Sequence, residues 1–106
     1  MVTTPRRGEV WWGELPDVGR RPFLVMTRDA AIPVLNSVLA APITRAVRMI
    51  PTELRLGPED GMPTECAASF DNLRVISKAH LVRRECILGA ARLVEACGAM
   101  RIAVDC

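Results

Sequence analysis

Apolar and polar positions along the chain form short runs that are typical of β-strands rather than helices. Residues 8–14, 22–27 and 38–44 are rich in β-branched, aromatic and other apolar side chains, and proline, glycine and aspartate separate them. Residues 52–56 alternate cleanly, and in residues 66–70 the alternation places Cys66, Ala68 and Phe70 inward. Residues 73–76 and 83–88 extend the pattern, and Pro42 predicts a sheet edge or bulge at the end of the third strand.

A helical period is found only near the C-terminus. Between Ala90 and Val104, the residues Leu93, Cys97, Met100 and Val104 recur at offsets of four, three and four, which places them in one stripe, with Glu95 and Ile102 facing away. Ser77 is suited to cap a single helical turn before the last strand. These patterns predict a mainly β fold with some α structure: a strongly bent small β-barrel with a C-terminal helix and short connecting helices.

Composition restricts the chain to one folded domain. Its 106 residues are 50% hydrophobic and 25% charged, which is typical of a globular protein and not of a disordered segment or a coiled coil. No apolar run approaches the ~18 residues of a membrane helix, and the polar N-terminal segment lacks the apolar core of a secretion signal. We therefore expect a cytoplasmic protein that does not associate with a membrane.

Charge and cysteine content do not by themselves indicate a particular function. A net charge of +2 is too small to indicate a nucleic-acid partner, although arginines concentrate in the first half. A basic face and a scatter of surface arginines are equally consistent with that distribution. The four cysteines, Cys66, Cys86, Cys97 and Cys106, form no C-x-x-C pair and are accompanied by a single histidine, so we expect reduced thiols and no metal site.

Four segments resemble the MazF/PemK (Kid) toxins, in the same order and with similar spacing. They are Arg7–Trp11, Gly19–Val25, Ala41–Thr44 and Ser69–Ile76, and the resemblance continues into the final helix. It implies a single toxin domain over residues 1–106 with an SH3-like barrel that forms a homodimer. It also implies sequence-specific cleavage of single-stranded mRNA without metal or cofactor, to 2′,3′-cyclic phosphate and 5′-hydroxyl ends. The implied partner is an antitoxin whose acidic C-terminal segment blocks the site.

The resemblance implies a catalytic role for three residues. Arg21 matches the family's arginine, and a planar guanidinium can stabilise a phosphorane with paired donors and can supply a proton. Thr44 matches the threonine paired with that arginine, although a threonine in a strand is ordinarily only β-structure. Asp71 matches an acidic position and would orient an arginine or assist proton transfer, with a purely structural arginine pair as an equal alternative.

RNA binding is expected to involve the remaining arginines of the first half and a serine. The expected residues are Arg20, Arg28, Arg45 and Arg48, with Ser69 at a position where a relative has a second arginine. The general base stays open, because the loop at residues 15–19 lacks the longer polar insertion of several relatives. His80 is expected to be solvated or capping. Trp11 and Trp12 should face opposite sides of a strand, one in the core and one near the site or the dimer seam.

Two other functions are compatible with this fold class. A CcdB-like toxin would act on DNA gyrase by protein contact and would need neither Arg21 nor Thr44, so the presence of both favours the nuclease. A peptide-binding SH3-like adaptor would need a groove lined by aromatic side chains, and two tryptophans with two phenylalanines provide little of one.

Overall fold

A computed structural model describes residues 4–105. It contains seven strands, which pair antiparallel in one bent sheet and correspond to the predicted ones, followed by one α-helix. The strands are β1 (Glu9–Leu15), β2 (Gly19–Val25), β3 (Ser37–Thr44), β4 (Glu53–Leu56), β5 (Cys66–Ser69), β6 (Arg74–Ser77) and β7 (Leu81–Ile87), and the helix is α1 (Ala90–Val104). Short 3-10 turns occupy Ile32–Val34, Pro58–Asp60, Phe70–Asn72 and Lys78–His80. Cys106 lies outside the described residues.

The central strand is β3, which changes partner along its length. On one side it pairs with β2, and on the other its residues 37–40 pair with β6 and its residues 43–44 pair with β5. Pro42 lies between the residues that pair with β6 and those that pair with β5, and on the other side it is opposite Phe23 of β2. The proline therefore marks an irregularity, as predicted, but within an interior strand and not at a sheet edge. Pairing over residues 4–105 runs from β4 to β7, so the bent sheet stays open rather than closing fully into a barrel.

Both faces of most of β1 and of the C-terminal half of β2 are buried, which explains the continuous apolar run at the end of β2. Val10 and Leu24 belong to the core cluster shared with α1, whereas their neighbours Trp11, Phe23 and Val25 belong to a second cluster on the opposite face. Consecutive strand residues point to opposite faces, so a strand between two cores needs apolar side chains at every position.

α1 packs against the sheet through small residues at the centre of its buried stripe. Ala96 and Ala99 are buried, and Leu93, Cys97 and Met100 pack beside them against the first core cluster. The prediction that Val104 belongs to the buried stripe is wrong, because Val104 is 51% exposed. The buried stripe is centred on Ala96 and Ala99, and Val104 lies at its edge. Glu95 and Ile102 face solvent as predicted. No helix within residues 4–105 is long and apolar enough to cross a bilayer.

The alternation predicted for β5 is only half correct. Cys66 and Ala68 point inward as expected, but Ala67 and Ser69 are buried as well. β5 is an interior strand with a paired strand on each side, β3 and β4, and all four of its residues are buried. After β6, the Ser77 hydroxyl accepts a hydrogen bond from the N–H of Ala79 at 3.3 Å, which is the predicted cap.

Candidate functional site

Two adjoining cavities open beside the N-terminal half of β2 and the C-terminal end of β3. The large cavity has a volume of about 890 Å³, and its polar lining is Arg21, Thr44, Arg48, Ser69, Asp71, Asn72 and Arg74. The small cavity, about 260 Å³, has Arg20, Arg21, Thr44 and Arg45 beside a mainly apolar lining. Arg21 and Thr44 line both cavities and therefore form the boundary between them.

Strand register places Arg21 and Thr44 together. Phe23 pairs with Pro42 and Leu24 with Ala41, and the same register extended by two residues sets Arg21 opposite Thr44. Such pairs have side chains close enough to act on one group. The Arg21 guanidinium is exposed and has no hydrogen-bond or ion-pair partner in the part of the chain that the structure describes, so it is free to bind an anion. The Thr44 Oγ1 accepts from the N–H of Ala46 at 3.1 Å, which leaves its hydroxyl proton free to donate.

Asp71 lies on the wall of the large cavity with a hydroxyl partner. The Thr52 hydroxyl donates to Asp71 Oδ2 at 2.6 Å, and Asp71 itself follows β5 in the turn Phe70–Asn72. An arginine pair was an alternative in the sequence analysis, and no such pair to Asp71 occurs among residues 4–105. One carboxylate oxygen is therefore held by Thr52, while the other has no such partner within the same residues.

Ser69 lies beneath Asn72 rather than projecting into solvent. The serine is only 3% exposed, and its Oγ accepts from the Asn72 Nδ2 at 2.8 Å. Asn72 is exposed and presents the rest of its amide to the large cavity. A ligand in this cavity would therefore meet Asn72 more readily than Ser69. Asn72 was not among the residues predicted for the site, although its place beside Asp71 in a matching segment was a usable signal.

Arg48 lines the large cavity but is already engaged by a buried carboxylate. Its Nε and one terminal nitrogen donate to Glu53 Oε2 at 2.8 and 2.7 Å, and its backbone N–H donates to Glu53 Oε1 at 3.1 Å. The Glu53 side chain is 2% exposed, so the pair is anchored at one end. This arrangement fixes the direction of the Arg48 guanidinium and neutralises part of its charge.

Arg74 is a cation of the large cavity that the sequence analysis missed as a site residue. Its terminal nitrogens contact the two Asp17 oxygens at 3.1 and 3.4 Å, which ties the β1–β2 turn to β6. This hydrogen-bonded arginine lowers the pKa of Asp17 below its usual range. The partners are 57 positions apart in the sequence, so no local pattern could have revealed the pair.

The other predicted RNA-binding arginines separate into two groups. Arg20 and Arg45 are exposed and line the small cavity, and the Arg45 guanidinium has no partner between Thr4 and Asp105. Arg28 follows the far end of β2, in the segment that begins the turn to Ile32, and lines neither cavity. The structure therefore brings Arg20, Arg45 and Arg48 to the site, and leaves Arg28 away from it.

The two tryptophans divide between core and site. Trp11 is buried in the second core cluster, and its indole N–H donates to Glu9 Oε1 at 2.9 Å. Trp12 is half-buried in the wall of the small cavity, and its indole N–H donates to Glu85 Oε1 at 2.6 Å. The Arg20 and Arg83 guanidinium carbons lie 5.4 and 5.8 Å from the centroid of the Trp12 ring. Trp12, and not Trp11, therefore belongs to the site.

Of the histidine and the three described cysteines, only Cys66 lines one of the two cavities. His80 is half-buried in the turn Lys78–His80, away from both. Cys66, Cys86 and Cys97 are free thiols packed on the first core cluster, and burial raises the pKa of Cys86 to about 11. No group of three or more histidine, cysteine, aspartate or glutamate side chains in residues 4–105 is placed to hold a metal ion.

Comparison with known proteins relates nearly the whole chain to one family. A family model described as "PemK-like, MazF-like toxin of type II toxin-antitoxin system" matches residues 6–104. The Mycobacterium tuberculosis protein named "Probable endoribonuclease MazF5" is 43% identical, with 100% of this chain and 98% of that protein covered. "Probable endoribonuclease MazF2" of the same species is 37% identical over 95% of this chain and 99% of the relative.

Solved structures give the same result for the fold. Mycobacterium tuberculosis toxin MazF-mt6 superimposes with a TM-score of 0.83 at 30% identity, covering 92% of this chain and 96% of that chain. A mycobacterial endoribonuclease in complex with its cognate antitoxin has a TM-score of 0.86 at 27% identity, with 95% of each chain covered.

Proposed function

The chain belongs to the PemK-like, MazF-like toxins of type II toxin–antitoxin systems, and we propose that it is an endoribonuclease that cuts single-stranded mRNA at short preferred sequences. The observation that supports this most directly is the unpaired Arg21 guanidinium beside the Thr44 hydroxyl, at the boundary of two cavities. Relatives with 43% and 37% identity are named probable endoribonucleases. The proposal places the protein in the cytoplasm, where its RNA substrate would be.

The proposed reaction uses the neighbouring 2′-hydroxyl of the RNA as nucleophile. The bond from the 2′-oxygen to phosphorus forms, the bond from phosphorus to the 5′-oxygen breaks, and the products are a 2′,3′-cyclic phosphate and a 5′-hydroxyl. Negative charge accumulates on the non-bridging oxygens of the phosphorane. Arg21 supplies paired, positively charged donors to those oxygens, and Thr44 adds a neutral donor from the neighbouring strand.

Proton transfer is assigned to Asp71 on the wall of the large cavity. Its Oδ2 accepts from Thr52, so the carboxylate is held at the wall of the large cavity, and Oδ1 has no hydrogen-bond partner among residues 4–105. In the proposed step, Asp71 accepts the 2′-hydroxyl proton, and the leaving 5′-oxygen takes a proton from Arg21 or from solvent. Binding of the RNA backbone in the large cavity is assigned to Arg48, with Asn72 in place of the buried Ser69. Contact with the RNA on the other side of the scissile phosphate is assigned to Arg20 and Arg45.

The proposed assembly is a homodimer that an antitoxin inhibits. Several apolar side chains are exposed, among them Val34 in the turn Ile32–Val34, Val75 on β6, and Val94 and Ile102 on α1. A stable interface of at least ~1,000 Å² could cover some of them. A solved mycobacterial relative is an endoribonuclease in complex with its cognate antitoxin. An acidic antitoxin segment would bind the unpaired Arg21 and Arg45 and compete with RNA.

The gyrase-directed alternative is not favoured. The family match and the endoribonuclease relatives support a nuclease, and a toxin acting only by protein contact would have no use for Arg21 beside Thr44.

The decisive experiment is digestion of a long RNA by the purified protein in the presence of EDTA. We expect discrete fragments with cyclic phosphate ends, none with Arg21→Ala, and unchanged fragments with Arg101→Gln, an exposed arginine on α1 outside both cavities. Sequencing the 5′ ends would give the preferred site. Intact RNA with the wild-type protein would refute the proposal.

A further inference from the structure

The small cavity has a chemistry different from that of the large one. Its floor is formed by Ile43, Met62 and Cys66, which are all buried, and Pro22 and Pro63 continue the apolar lining. Burial and the neighbouring Asp60 and Glu65 carboxylates raise the pKa of the Cys66 thiol, so the floor stays uncharged at neutral pH. A phosphate placed here would lose its hydration without gaining donors from below.

The rim of the small cavity provides flat, oriented groups. The Trp12 ring is fixed by its hydrogen bond to Glu85 and lies under the Arg20 guanidinium, which also pairs with Glu14 at 3.5 Å. Arg45 stands on the rim with an unpaired guanidinium, as far as residues 4–105 show. Besides Arg21, which is assigned to the scissile phosphate, the cavity has an apolar floor, a planar wall and the unpaired donors of Arg45. This combination matches a flat ring with polar acceptors on its edge, and RNA bases have this character.

Size and position restrict which base this is. At about 260 Å³ the cavity lies below the range of drug-sized pockets and suits one planar ring system, not a chain of nucleotides. Arg21 and Thr44, the pair assigned to the scissile phosphate, also line this cavity. A base bound here therefore adjoins the phosphate that is cut.

From this geometry we infer that the small cavity is a base-recognition subsite for one of the two nucleotides that flank the scissile phosphate, with Trp12 and Arg20 as its stacking wall and Arg45 as the residue that selects the base. This inference rests on the proposed function for the position of the phosphate. Paired guanidinium donors match the O6 and N7 acceptors of guanine, so guanine is the base selected.

Binding of uncleavable oligonucleotides tests the subsite separately from catalysis. The probe is a fluorescently labelled pentanucleotide, UUNUU, with 2′-deoxy sugars that remove the nucleophile, where N is guanine, adenine, cytosine, uracil or an abasic site. Fluorescence anisotropy with the wild-type protein should give the tightest binding for guanine, about 5- to 150-fold tighter than for the abasic probe. Arg45→Ala should remove the guanine preference, and Arg101→Gln should retain it.

Trp12→Leu provides a second variant with a different signature. It should weaken all four base-containing probes towards the affinity of the abasic probe, because the lost wall serves every base. Circular dichroism and thermal melting check that each variant folds. If Trp12→Leu does not fold, Arg45→Ala still decides, because that exposed side chain has no partner to lose in the described part of the chain.

Three results would overturn the inference. The wild-type protein could bind the five probes equally, or Arg45→Ala could keep the guanine preference. Alternatively, both variants could weaken an acidic antitoxin peptide while the ranking of the probes stays the same, which would make the cavity a peptide subsite. A protein that ranks the bases but cuts no RNA would refute the nuclease proposal alone, and one that cuts RNA without ranking the bases would refute this inference alone.

Discussion

Removal of Arg21 should abolish most catalysis without changing stability. Its guanidinium is exposed and makes no intramolecular hydrogen bond or ion pair among residues 4–105, so Arg21→Ala should leave the free energy of unfolding within about 0.5 kcal/mol of wild type. In the proposed transition state the same group faces a dianionic phosphorane. Loss of one such donor costs about 2.7–4 kcal/mol, so kcat/KM should fall by about 100- to 1,000-fold.

The loss of kcat/KM expected for Thr44 variants can be compared directly with the loss expected for Arg21→Ala. The Thr44 hydroxyl is a neutral donor, and a hydrogen bond of this kind contributes about 0.5–1.5 kcal/mol, so Thr44→Val should lower kcat/KM by only about 2- to 13-fold. Thr44→Ser keeps the hydroxyl and should retain most activity. Because both groups contact one phosphate, the double variant should lose less than the product of the single losses.

The assay is single-turnover cleavage of a short RNA that carries a fluorophore and a quencher, with urea unfolding of each variant measured in parallel. The mechanism would be wrong if Arg21→Ala cleaved within about threefold of wild type while folding normally. Strictly additive losses for Arg21 and Thr44 would contradict their action on a common phosphate.

Three further predictions concern stability and charge. Glu53→Gln should lower the free energy of unfolding by about 1–3 kcal/mol in urea titrations, because it weakens the charged hydrogen bonds between Arg48 and a buried carboxylate. Glu65→Gln, which alters an exposed ion pair, should change that free energy by less than about 1 kcal/mol, and equal effects of the two substitutions would contradict the role of burial. Gly61→Ala should lower the free energy of unfolding by at least about 1–3 kcal/mol, because φ is +97° and the new Cβ would lie 2.7 Å from the Cβ of Cys86. Gly98→Ala, in open space on α1, should raise it by about 0.5–1 kcal/mol; an unchanged melting temperature for the Gly61 variant would refute the steric argument. In an NMR titration the pKa of the Asp17 carboxyl should lie below its usual range and return to that range in an Arg74→Gln variant or in high salt, and a pKa that does not change in the variant would contradict the assignment. Because the pKa is lower in the folded state, the ion pair stabilises the fold above the ordinary pKa, and this stabilisation is lost as the pH falls through the folded-state pKa.

The candidate site was predictable where residues lie on consecutive paired strands. Arg21 and Thr44 were identified by resemblance, and the β2–β3 register places them opposite each other. The predictions that the structure did not support depend on contacts between distant segments. Arg28 was grouped with the other arginines because of charge alone, yet the length of β2 separates it from Arg21. Ser69 was expected to bind RNA, but folding leaves it only 3% exposed, with its Oγ accepting a hydrogen bond from Asn72.

The sequence by itself determined the elements of this protein. Period-2 alternation, interrupting glycine and proline residues and one helical stripe specify seven strands and α1 to within a few residues, because these patterns report local backbone geometry and the burial of single faces. Only the tertiary structure decided which cations are free. Arg48 and Arg74 are paired with carboxylates from other segments, whereas Arg21 and Arg45 have no partner in residues 4–105. The strength of an ion pair depends on distance and solvent screening, and folding fixes both by bringing remote segments together.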